Sequence, residues 1–259
     1  MRSRRFVTGV AAATLALLPL TAVSAAEHGG NAEIVVVHGV PGLEVDVLVD
    51  GTAAITGFEF GDVVKTSLPA GDYTFAVAAT GTTDAVLTLE ASLGAGLSAT
   101  IAAFLDTNGD PQLRAFVNEN GASGIQPFHL ANFGAVDILS GTTAVLEGVT
   151  NGQTARIDVA GGTTVSAVGI GAAGAGTAAI ELGDVTVRTN ELILAYAIGP
   201  DEGETLPTVV TASTNVGGVQ IIPSGTGGQV AMLPMALLAV ALLGSVLLVA
   251  PRRTVREHA

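Results

Sequence analysis

A histidine and an aspartate stand either side of a short loop in "VVVHGVPGLEVDVLVDG" (Val35 to Gly51). A carboxylate beside an imidazole orients the ring in metal sites and in general acid–base sites alike. His38 closes one apolar run, and Asp46 lies in a second where acidic residues alternate with valine. On neighbouring strands the two are expected to share a hydrogen bond across the mouth of the loop. The pair recurs as His129 and Asp137, both 91 residues on, but Ser140 stands near the place of Asp50. A pair kept while its surroundings change reads as a tie for the fold. A reaction centre would need further groups converging on it.

A second cluster is "DTNGDP", which sets Asp106, Asn108 and Asp110 at alternate positions, as a calcium loop begins. The full pattern also needs Gly at the sixth place and Glu at the twelfth. Pro111 and Val117 stand there instead. Asn108-Gly109 also suits a hairpin turn between "TIAAFL" and "QLRAFV". Enzyme signatures are missing: there is no Gly-x-Ser-x-Gly elbow, no His-Glu-x-x-His and no phosphate loop. "GIGAAGAG" (Gly169 to Gly176) opens no helix after a strand and reads as a Gly-rich loop. Phe58 and Phe60, which could form an exposed sugar platform, alternate around Glu59 as core residues do.

The elements that carry these residues are repeated. "HGVPGLEVDVLVDGTAA" is echoed by "HLANFGAVDILSGTTAV", "PAGDYTFAVAATG" by "VAGGTTVSAVGIG" 90 residues on, and "TLEASLGAGLSATIAAFL" by "AIELGDVTVRTNELILAYA" at about 91. Collinear echoes at near-constant spacing indicate an internal duplication. Each copy reads as about seven short strands with period-2 patterning, bounded by Gly, Pro, Asn and Asp. Val45, Val47 and Val49 are expected to face the core, and Glu44, Asp46 and Asp50 to face out. No amphipathic helix intervenes. The expected fold is all-β: two tandem immunoglobulin-like β-sandwich domains, plus one C-terminal transmembrane helix. The expected copies span residues 32–118 and 126–213, with a Gly/Ser-rich linker at 119–125. "LPAGDYTFAV" places Tyr73 at a corner where a buried ring can return its hydroxyl to nearby backbone.

The chain lacks cysteine, so thiol chemistry is excluded and a disulfide-free body must be stable from its core alone. Residues 1–26, with a basic start, an apolar run and small residues at the end, have the anatomy of a secretory signal. Val230 to Ala250 runs 21 residues without a charge, enough to cross a bilayer, and Arg252, Arg253 and Arg256 follow it. Positive flanks stay inside, which predicts a single-pass type I protein with its body outside and residues 251–259 in the cytoplasm. Residues 214–229 then form a stalk. Between signal and helix stand four basic residues (Lys65, Arg114, Arg156 and Arg188) against 22 acidic ones, a formal charge of −18. Such a surface repels nucleic acid and anionic headgroups.

The residues His38-Gly-Val-Pro41, "VDVLVDG" from Val45 and "LPAGDYTFAV" from Leu68 resemble a bacterial and archaeal secreted family, domain of unknown function 4397. Its members typically show His-Ala-Ser-Pro, Val-Asp-Val-x-Val-Asp-Gly and Leu-Pro-Ala-Gly-x-Tyr. The resemblance covers roughly residues 32–118, and the second copy keeps only His129 and Val136-Asp137. It implies a secreted, often tandem, all-β domain and supplies no activity or catalytic residue. The expected function is a structural or interaction role in the cell envelope, with the membrane and an envelope protein or matrix as partners. The alternative is a calcium-stabilised or small-ligand-binding module, and an uncharacterised hydrolase comes third.

Overall fold

Runs of β-branched residues punctuated by glycine build strands throughout the part of the protein that the computed structural model describes, residues 30–216. The expected signal, spanning segment and tail lie outside these residues, as does the expected stalk from residue 217 on; its first two residues, Thr214 and Asn215, belong to the last described strand. The first copy holds β1 (Asn31–Gly39), β2 (Val45–Val49), β3 (Thr52–Phe58), β4 (Val63–Pro69), β5 (Gly71–Ala79), β6 (Ala85–Leu93), β7 (Ser98–Leu105) and β8 (Pro111–Val117). The second holds β9 (Gly124–His129), β10 (Val136–Ser140), β11 (Thr143–Val149), β12 (Gln153–Thr154), β13 (Ile157–Asp158), β14 (Thr163–Ala172), β15 (Ile180–Val187), β16 (Glu191–Ile198) and β17 (Thr208–Asn215). No described residue is helical, so the fold is all-β.

Four sheets result, in two matched pairs. In the first copy the orders are β4-β1-β7-β8 and β3-β2-β5-β6. In the second they are β12-β9-β16-β17, with β13 also on β9, and β11-β10-β14-β15. The central pairs β1–β7 and β9–β16 are parallel, and the remaining ladders are antiparallel. Within the first copy Ile34, Val36 and Ile101 of one sheet meet Val47, Phe58, Phe75 and Val77 of the other, a sandwich-like core. The first copy thus has eight strands where about seven were expected.

The two copies also share a core. Val35, Val37, Ala102 and Phe104, on the far face of β1 and β7, pack with Phe128, Leu192, Leu194, Tyr196 and Ile198 of β9 and β16. The central strands are therefore buried on both faces, as the burial along β1, β7 and β9 shows. A continuous apolar run is the pattern such strands need. Polar groups in this shared layer are matched: the Thr100 hydroxyl bonds the Asn118 carbonyl and the Tyr196 hydroxyl, each at 2.8 Å. Asn118 Nδ2 donates to Ser98 Oγ at 3.1 Å. Burial pushes the Tyr196 hydroxyl well above the ordinary tyrosine range, against the opposing Thr100 bond.

The segment between the copies is held by side chains. Arg156 donates to the carbonyls of Glu119, Ala122 and Ser123, and Gln126 Oε1 accepts the Glu119 N–H at 2.8 Å. Tyr73 does what its corner position predicts, donating its hydroxyl to the Pro69 carbonyl at 2.9 Å.

Candidate functional site

The structure gives His38 and Asp46 separate partners. They sit in different sheets, on β1 and β2. His38 Nε2 donates to the Leu43 carbonyl at 2.9 Å, across its own loop. Asp46 Oδ1 accepts the Gly57 N–H at 2.9 Å, and Oδ2 accepts the Gly81 N–H at 2.8 Å. Both glycines have positive φ, 62° and 78°. A bulge in β3 separates the Val45–Phe58 and Val47–Ile55 pairs, leaving the Gly57 N–H outside the ladder. Asp46 satisfies it. Asp46 faces away from the main core, as alternation predicts, but loops cover it and only 4% of it is exposed.

The second copy repeats this arrangement bond for bond. His129 Nε2 donates to the Gly134 carbonyl at 2.9 Å. Asp137 accepts the N–H of Gly148 at 2.7 Å and of Gly174 at 2.8 Å. These glycines also have positive φ, 64° and 77°. The His ties the loop between two sheets, and the Asp ties a bulge and a hairpin. Each tie uses the donor or both acceptor oxygens, so neither pair presents a free carboxylate to a substrate. The Nδ1 atoms of both histidines are buried without a partner.

Burial holds both histidines below the ordinary imidazole pKa of 6.5, their carbonyl bonds pulling the other way and, at His38, the Asp62 charge as well. The unfolded chain therefore binds more protons between the lowered native values and 6.5. Stability is complete above about pH 6.5 and falls as the pH drops below it. The Gly148 and Gly174 amides hold Asp137 below its ordinary range. Its contribution persists above about pH 4 and is lost under it. Urea melts from pH 7.5 to 5 are expected to show the histidine slope, flattened in a His38→Gln, His129→Gln double variant. An unchanged slope in that variant would contradict the assignment.

The Asp106 cluster forms a tight turn. Asp106 Oδ1 accepts the N–H of Asn108 at 2.8 Å and of Asp110 at 3.0 Å, closing the β7–β8 hairpin. Among the described residues no three His, Cys, Asp or Glu side chains gather as a metal set. Phe58 is in the first core, and Phe60 packs against the layer shared by the copies.

The copies differ inside the second sandwich, where a cavity of about 210 Å³ opens between its sheets. The corresponding space in the first sandwich is about 10 Å³. Hydrogen-bond register identifies the cause. Val45 pairs with Phe58 where Val136 pairs with Val149. Val49 pairs with Phe75 where Ser140 pairs with Val168. Val36 pairs with Ile101 where Pro127 pairs with Ala195. Two phenylalanines and an isoleucine of the first core thus become two valines and an alanine. At ~24 cal/mol per Å³, an empty space of 210 Å³ costs about 5 kcal/mol. Phe75 aligns with Val168, 93 residues on, partly because β14 carries an extra residue in a bulge near Ala167, whose φ is 51°.

Residues 32–139 match the family described as Domain of unknown function (DUF4397). This part of the chain is similar to that family. The DUF4397 match runs through the whole first sandwich and on into β10, so it takes in both His–Asp pairs. No curated protein matches the sequence.

Proposed function

We propose that this chain is an exported, membrane-anchored protein whose two immunoglobulin-like sandwiches act as one rigid, non-catalytic body. It offers a surface to an envelope protein or matrix partner. The observation that carries this reading is the shared core of Val35, Val37 and Phe104 with Leu192, Leu194 and Tyr196. A body built this way transmits position and orientation without hinging. The anchor is the uncharged run from Val230 to Ala250, and the arginines after it set a type I orientation. The His–Asp pairs support a non-catalytic role, since their polar atoms serve the backbone.

Cells carrying the full chain with a C-terminal tag test this. Protease added to intact cells is expected to release the sandwich body and leave a short tagged remnant in the membrane. Crosslinking before lysis is expected to join the body to an envelope component. Full protection of the chain from external protease would overturn the placement. Turnover in a hydrolase screen that disappears in His38→Ala would overturn the non-catalytic reading.

A further inference from the structure

We propose that the second sandwich binds a small, neutral, largely hydrocarbon molecule in the cavity between its sheets. Its walls come from both sheets, with Val149, Val168 and Ile170 on one side and Ala195 and Val209 on the other. The polar exceptions are His129 and Thr211. His129 is 2% exposed, and its Nδ1 is a buried acceptor without a partner. The walls therefore favour hydrocarbon, and a hydroxyl on the ligand that reached that nitrogen would satisfy it. An anion would leave water for an aliphatic interior inside a strongly acidic protein, at a cost that nothing in the walls offsets. An apolar cavity of about 150 Å³ suffices for benzene, so about 210 Å³ suits a ring or branched chain of roughly seven to ten heavy atoms.

The first sandwich shows that the space is a property of this copy. There Phe58, Phe75 and Ile101 fill the same place. A way in also distinguishes the copies: β6 packs along β8 in the first, whereas β15 and β17 make far less contact in the second. Leu182 and Val185 of β15 and Thr211 of β17 border the cavity on that side.

Cyclohexanol is the probe, with cyclohexanecarboxylate as its charged counterpart. The full chain in lipid nanodiscs, with Val and Ile methyls labelled, is titrated with each and followed by NMR. Cyclohexanol is expected to give saturable shifts at Val149, Val168 and Ile170, and the carboxylate none at neutral pH. A Val149→Phe, Val168→Phe variant restores the first copy's residues, and is expected to melt higher and lose the response. Ala195→Ile, which places the residue of Ile101, is a second and smaller filling and is expected to weaken binding at least tenfold. Linear, unsaturable shifts would overturn the proposal. So would equal response at the Val47 and Val77 methyls, or binding that survives in a folded filled variant.

Discussion

Tyr196→Ala is expected to lower stability by about 3–5 kcal/mol, the range for losing a large buried aromatic, and to lower it for both sandwiches together. Tyr196 is fully buried in the layer between the copies, its ring tilted 34° against Phe128 with centroids 4.7 Å apart. Its hydroxyl bonds Thr100 of the first copy at 2.8 Å. Truncation removes the packing and leaves Thr100 with Asn118 alone. Because the layer belongs to both copies, calorimetry of the full chain should show one transition, moved down as a unit. Two separate transitions, with only the second moved, would show that the copies unfold independently. Tyr196→Phe isolates the hydroxyl and should cost about 1 kcal/mol.

Removing an aspartate tie should come next in size. Asp46→Ala deprives Gly57 and Gly81 of a charged acceptor, and two such bonds suggest a loss of about 2–4 kcal/mol, reduced because water can reach the loop glycines. Asp46→Asn keeps the shape but has one acceptor oxygen, so it should fall between wild type and Ala. Asp137→Ala should act in the same direction in the second copy, through Gly148 and Gly174. Hydrogen exchange reads the tie directly: the four glycine amides should be protected in the wild type and lose protection pairwise in each variant. Unaltered exchange at Gly57 and Gly81 in Asp46→Ala would remove Asp46 from this role.

The sequence made the strand class and the duplication legible because both leave periodic marks. Tyr73 was legible because a Pro-Ala-Gly turn before an aromatic strand has few mechanical readings. The partners of His38 and Asp46 were not. Proximity in sequence suggested a shared bond, but β1 and β2 enter different sheets, and the strongest demand on Asp46 comes from glycines 11 and 35 residues away. The shared core was written in the run Val35-Val36-Val37, whose unbroken apolarity marks a strand covered on both sides. Strands β3 and β4 are the hardest to read, because edge strands with exposed positions carry little apolar contrast. The cavity needed register: spacing alone set Phe75 against the wrong residue, and only paired strands show that Val168 takes its place.

The central position of β1 has a mechanical consequence. Its seven residues Asn31–Val37 are laddered to β4 on one side, and Glu33–Gly39 are laddered to β7 on the other. Tension entering at Asn31 along the strand must shear two ladders at once, one antiparallel and one parallel. The last described strand, β17, is an edge whose one backbone ladder is to β16, with the Lys65 ammonium on the Ser213 carbonyl as a single side-chain tie to β4. Load from the two ends of the body thus meets unequal resistance: the leading end is clamped from both sides, and the trailing end can be peeled from one.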